Sequence, residues 1–249
     1  MPEAFMHYHM GCLVLDQLSF PIDRNVFFVG VHGPDPFMFY PFPPNRKSRV
    51  MHNEKTGEFL MGLADKSVEE PGVFSFLAGF LCHYALDSSA HPMINTLSRK
   101  HGMHMAIEHR LDLQELRRQG FSLSDRPISG VFPPFPELPI DDVFQKIYGW
   151  QNSTALMKKS YQYMQMYFRC VETDAVNRIF RHIPGRFNAI SYRSTMCSGV
   201  DLSWMPSILS KSVTDAVAYI RGAQAYCMGE TDRQTLADLI GDRKYSGTS

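Results

Sequence analysis

Nine of the ten histidines fall within residues 7–109. Imidazoles clustered with carboxylates are the composition of a metal site or of an acid–base site. The densest segment is Phe80-Leu-Cys-His83-Tyr-Ala-Leu-Asp87-Ser-Ser-Ala-His91-Pro92. His83, Asp87 and His91 stand at i, i+4 and i+8. At ~100° per residue each step advances the position by only ~40°, so the three share one helix face. Such a face on an otherwise apolar helix is costly unless its polar groups are satisfied. Zinc satisfies them, because neutral imidazole and carboxylate are the N and O ligands it takes. The alternative is a buried, hydrogen-bonded polar cluster. His104 follows thirteen positions after His91, with Glu108 at i+4 and Asp112 one turn further. The segment between is long enough to bring the chain back antiparallel, so that two polar faces meet in a bundle core. The plain alternative for His104 and Glu108 is an exposed i,i+4 pair.

These residues need helices to position them, and the pattern supplies helices separated by proline-rich loops. A helix is expected from Ala4 to Leu18, closed by Pro21. Asn25–Val31 is a short apolar run, either a strand or a buried helical turn. A Gly-Pro-Asp-Pro turn at 33–36 leads into an aromatic loop, Phe37 to Pro44. Further helices are expected over Thr56–Ser67, over Phe74–Ala90 with Pro92 as its stop, and over Met103–Gln119 with Gly120 beyond it. Residues 126–139 hold five prolines and two phenylalanines and read as a rigid loop. Asp141–His182 reads as one helix or two, ended by Pro184-Gly185. Pro206–Cys227 and Thr231–Ile240 complete the set, and Tyr245–Ser249 reads as a frayed tail. The expectation is an all-α fold of roughly eight helices in one domain, with the metal ligands in residues 1–120 and residues 121–249 completing the bundle.

The run HxxxDxxxHP, followed after twelve residues by HxxxE and preceded by a Gly33-Pro34-Asp35 turn and an N-terminal His7, resembles the zinc-dependent phospholipase C family. That family includes the catalytic part of glycosylphosphatidylinositol-specific phospholipase D, and the zinc nucleases and 3′-nucleotidases are more distant relatives. The resemblance implies an all-helical fold around two or three zinc ions. It assigns His7, Asp35, His52, His83, Asp87, His91, His104 and Glu108 as ligands, with Asp87 bridging two ions and His91, His104 and Glu108 holding another. It implies phosphodiester hydrolysis, with zinc lowering the pKa of a bound water from ~15.7 towards ~7 and Asp35 ligating and also orienting or deprotonating that water. Asp112 is expected to orient a ligand imidazole or to pair with an arginine. His9 competes with His7, and His32 is held in reserve beside the turn. His101 and His109 are not expected to ligate. His182 reads as a helix-end cation, and Arg178, Arg181 and Arg186 as a basic helix end.

Composition narrows the partners. Twenty-five basic residues oppose 25 acidic ones, and neither half has the basic excess that nucleic-acid binding needs. The longest uncharged apolar stretch, Pro71–Leu86, is too short to span a bilayer and carries a proline, two glycines and His83. Contact with a membrane is therefore expected to be transient and at its surface. The five cysteines form no CxxC pair, and the N-terminus does not read as a signal peptide. Both favour a cytoplasmic protein. The expected substrate is a phospholipid or a small phosphodiester, with Phe37–Phe42 and Phe132–Phe135 as apolar walls for it. The rivals are a soluble-phosphoester or nucleotide hydrolase of the same fold and a non-catalytic zinc-binding protein.

Overall fold

A computed structural model describes residues 4–40, 46–98, 102–172 and 195–245. The expectations about His101, the 178–186 basic segment with His182, the Pro184-Gly185 stop, and Phe42 lie outside those residues. Among the described residues there are ten α-helices and no strand. They are α1 (Ala4–Leu15), α2 (Arg24–Gly30), α3 (Lys47–Asn53), α4 (Thr56–Glu69), α5 (Phe74–Leu97), α6 (Met103–Arg118), α7 (Asp141–Tyr148), α8 (Ser153–Val171), α9 (Met205–Cys227) and α10 (Arg233–Ile240).

The architecture is built around α5. Every residue from Ser75 to Ser88 is buried, which is the signature of a helix with neighbours on all sides. Those neighbours are α1, α2, α4, α6 and α9. The closest approach is with α2. A Cβ on Gly79 would lie 2.1 Å from the Phe27 carbonyl oxygen, and one on Gly30 would lie 2.3 Å from that of Phe76. Two backbones in contact fix the spacing between the end of α2, which leads into Asp35, and His83 one turn beyond Gly79.

One open choice is settled and two elements differ from the sequence expectation. Asn25–Val31 is helical, started by Asp23, whose side chain accepts from the Asn25 and Val26 amides at 2.9 and 3.1 Å. That cap decides between strand and helix. His52 lies on the short helix α3, which its polar sequence did not announce. Finally, α5 does not stop at Pro92 but runs to Leu97. Proline cannot donate to the carbonyl of Ser88, at a cost of ~3 kcal/mol. The turn beyond it buries Ile94 completely, which recovers ~2–3 kcal/mol of apolar burial, and Thr96 Oγ1 donates to the Pro92 carbonyl at 2.8 Å.

The remaining elements follow the expectation more closely. The 141–182 region divides into α7 and α8, separated by Gly149 at φ 71° and Asn152 at φ 52°, and is described as far as Glu172. Residues 126–139 form a loop with one 3-10 turn, Ile128–Val131.

Candidate metal centre

The eight ligand candidates reach one region from five elements. His7 comes from α1, Asp35 from the turn after α2, and His52 from α3. His83, Asp87 and His91 come from α5, and His104 and Glu108 from α6. All but His104 are buried. Seven of them form two clusters in which one ligating atom per residue lies within 4.8 Å of the others: Asp35, His52, His83 and Asp87 in one, and His91, His104 and Glu108 in the other.

In the first cluster His52 Nε2 lies 3.1 Å from Asp35 Oδ1, and His83 Nε2 lies 3.3 Å from Asp87 Oδ2. His7 approaches from the opposite side, with Nε2 3.2 Å from the other Asp87 oxygen, Oδ1. Its ring stacks on that of His83 with centroids 4.3 Å apart. In the second cluster His104 Nε2 lies 2.7 Å and His91 Nε2 3.9 Å from Glu108 Oε1. The clusters also differ in access. The His104 side chain is 40% exposed, whereas His83 and Asp87 are fully enclosed.

The hydrogen bonds on the far side of each ring decide the chemistry. His52 Nδ1 lies 2.6 Å from the Ser48 carbonyl, His83 Nδ1 3.2 Å from that of Val31, and His91 Nδ1 2.6 Å from that of Tyr245. A carbonyl only accepts, so each Nδ1 carries the proton and each Nε2 presents a lone pair. Those Nε2 atoms have no hydrogen-bond partner, nor do Asp35 Oδ1 and both Asp87 oxygens. Buried lone pairs facing buried carboxylates repel unless a cation lies between them. The donor set and its carbonyl-fixed tautomers therefore fit zinc.

The carboxylates attract positive charge to this point: burial opposes a charge on His52, but Asp35 and Asp87 outweigh it and hold its pKa up at about 9, so a proton on Nε2 takes the place that a bound cation would fill. Burial likewise opposes ionisation of Asp87, yet the surrounding imidazoles keep its carboxyl well below the usual range. Burial lowers His91, and lowers His104 to about 3, so both are neutral.

Gly33 of the Gly-Pro-Asp turn is required twice. It sits at φ +50°, and a Cβ there would lie 2.4 Å from the His83 ring. The turn and the imidazole are thus packed against each other before any ion binds.

Asp112 and the aromatic walls need correction, and His9, His32 and His109 lie outside both clusters. Asp112 neither orients an imidazole nor pairs with an arginine. Its oxygens accept the Phe5 and Met6 amides at 3.0 and 2.9 Å. These are orphan donors of the first turn of α1, so Asp112 fixes the helix that carries His7. His9 turns away from the centre, with Nε2 3.0 Å from Glu115. His109 is buried and belongs to neither cluster, and His32 stacks on Phe132 with centroids 4.5 Å apart. Phe37 is a core residue against Phe144, and Phe132 is buried as well. Neither walls an open pocket, while Met38, Phe39 and Tyr40 keep exposed surface.

The residue that sequence reasoning missed is Tyr245, taken there as frayed. It is 1% exposed. Besides accepting from His91, it donates its amide to the His52 carbonyl at 2.9 Å. Its ring lies 5.1 Å from that of His52 and 5.4 Å from that of His83.

No match was found among curated proteins or among solved structures. The sequence does match the family described as zinc dependent phospholipase C, over residues 6–175. That span contains all eight ligand candidates and extends well beyond the motif-bearing first 120 residues. With most of its length matched and two buried histidine–carboxylate clusters in place, the chain belongs to the zinc dependent phospholipase C family and is a zinc-dependent phosphodiester hydrolase.

Proposed function

We propose that this protein hydrolyses a phospholipid or a short-chain analogue to diacylglycerol and a phosphorylated head group. The observation that carries the reading is the set of partnerless Nε2 lone pairs turned towards Asp35 and Asp87. Bound zinc supplies Lewis acidity and a nucleophile at neutral pH.

The chain's own residues do the rest. Asp35, His52, His83 and Asp87 would hold one ion. Asp87, with His7 on one oxygen and His83 on the other, would bridge to a second. His91, His104 and Glu108 would hold the third. Asp35 occupies a turn, where its carboxylate can ligate and also accept a proton from the attacking water. The exposure of His104 supports substrate entry from the α6 side, and the surface left on Met38, Phe39 and Tyr40 suits transient contact with acyl chains. Residues 121–249 complete one catalytic domain.

Five free thiols support a reducing, cytoplasmic setting. Titration under denaturing conditions without reductant should find all five. An even number consumed in disulfides would contradict that placement.

The test of function is turnover of a phosphatidyl lipid by zinc-loaded protein, lost on chelation and restored by zinc. Cleavage of a nucleotide 3′-phosphate or a bis-aryl phosphodiester but of no phospholipid would favour the soluble-substrate rival.

A further inference from the structure

The ligands all lie before residue 109, yet the last described residues of the chain run across them. The 241–245 segment is fastened along its whole length. The Gly57 amide donates to Asp242 Oδ1 at 2.7 Å, and a Cβ on Gly57 would meet the Gly241 carbonyl oxygen at 2.9 Å. The Arg243 amide donates to the Tyr84 hydroxyl at 2.9 Å, and that hydroxyl donates to the Ile240 carbonyl at 3.2 Å. The Arg243 guanidinium donates to the Tyr219 hydroxyl. Beyond these anchors comes Tyr245, with its amide on the His52 carbonyl and its own carbonyl on His91 Nδ1.

We infer that residues 241–245 form a positioning strap, in which the main chain of Tyr245 joins a ligand of one metal cluster to a ligand of the other. Its carbonyl fixes the His91 tautomer and ring plane, and so aims Nε2 at the second cluster. Its amide holds the C-terminal end of α3, and therefore His52, at a set distance from His91. The Tyr245 ring closes the wall beside His52 and His83. Tyr245 touches no reacting atom in this arrangement and acts only through the histidines. The strap lies outside the residues matched to the family. Outer partners of this kind typically contribute ~10–100-fold in metal affinity.

The inference rests on the proposed ligand set, and the experiment separates the two. Zinc uptake by the full chain tests the ligand set. The strap is tested by comparing full-length Tyr245→Pro, Tyr245→Gly and Tyr245→Phe with the unaltered protein. Proline removes the amide that reaches His52, glycine removes the ring and frees the backbone, and phenylalanine keeps both.

Three quantities are read: zinc retained against a graded chelator, the melting temperature of chelator-stripped protein, and the Nδ1–H resonance of His91 in 15N-histidine-labelled protein. Tyr245→Pro should lose zinc at ~10–100-fold lower chelator concentration and lose the His91 resonance to exchange with water. Tyr245→Phe should restore both to within about twofold. If the proline variant does not fold, Tyr245→Gly should show the same losses in milder form. A strap that merely packs the chain end would lower the zinc-free melting temperature and leave zinc retention and the resonance unchanged, and that result would overturn the inference. Should the full chain take up no zinc, the ligand set fails, and the His91 resonance in the variants still decides whether the strap holds that ring.

Discussion

His52, His83 and His91 each give an Nδ1 proton to a main-chain carbonyl, which leaves each of them a lone pair directed at acidic oxygens. Asp87 serves both sides of this arrangement, so Asp87→Ala should lower zinc content by two ions per chain, and Glu108→Ala by one. Elemental analysis reads both, and equal losses would refute the bridging role. Asp35→Asn should keep most of the metal and lower kcat by ~10²–10⁴-fold. A titration belongs to Glu115, away from the centre. Burial favours its neutral form, but hydrogen bonds from His9, Arg118 and Gln119 hold its pKa down at about 2. A carboxyl depressed on folding stabilises above its unfolded pKa of ~4.3 and loses that contribution as pH falls towards 2. Wild type, compared in chelator with Glu115→Gln, should therefore be more stable at pH 6 and lose that advantage steadily below pH 4.5. A gap that does not change with pH would contradict the assignment. The i, i+4 spacings made the α5 and α6 ligands legible in the sequence. Asp35 and His52 were reached only through family resemblance, because turn chemistry alone explains an aspartate in Gly-Pro-Asp-Pro. The carbonyls that set the tautomers were not legible, since a backbone acceptor has no side-chain signature.

At the scale of elements, two helices touching backbone to backbone set the distance between the Asp35 turn and His83. Gly79→Ala places a methyl group 2.1 Å from the Phe27 carbonyl, so the helices must part. Overpacking of this kind costs ~1–3 kcal/mol or more. Chemical denaturation should show that loss, together with weaker zinc retention. Gly72→Ala, where a Cβ meets nothing within 4 Å, is the control. Asp112→Ala should act on a whole helix as well. It leaves the Phe5 and Met6 amides buried without an acceptor, at ~1–3 kcal/mol each. Helix positions were largely legible from apolar periodicity and breakers. The misses have physical causes: tertiary burial of Ile94 overrode Pro92, and α3 is too short and polar to show a period. The Asp23 cap decided α2, which the sequence left open between strand and helix.

Across the whole molecule, metal binding and folding are one equilibrium, because five elements converge on ions that an unfolded chain cannot hold. At free zinc ~100 times Kd, each site adds ~2.7 kcal/mol, or roughly 5–10 °C in Tm for a chain of this size. Chelation should lower the calorimetric transition by at least that much and abolish turnover, and an unchanged transition would mean the centre is not metal-linked. The second half of the sequence offered no motif, so the part Tyr245 plays could not be read from it. Its contact with His91 also has a consequence for synthesis. A ribosome adding ~5–20 residues per second needs roughly seven to twenty-seven seconds to go from Glu108 to Tyr245. During that interval every ligand side chain has been made, while the carbonyl that orients His91 does not yet exist. A nascent chain can gather imidazoles and carboxylates, but the carbonyl that orients His91 arrives only with Tyr245, so the ordering of that ring waits on the synthesis of residues 241–245.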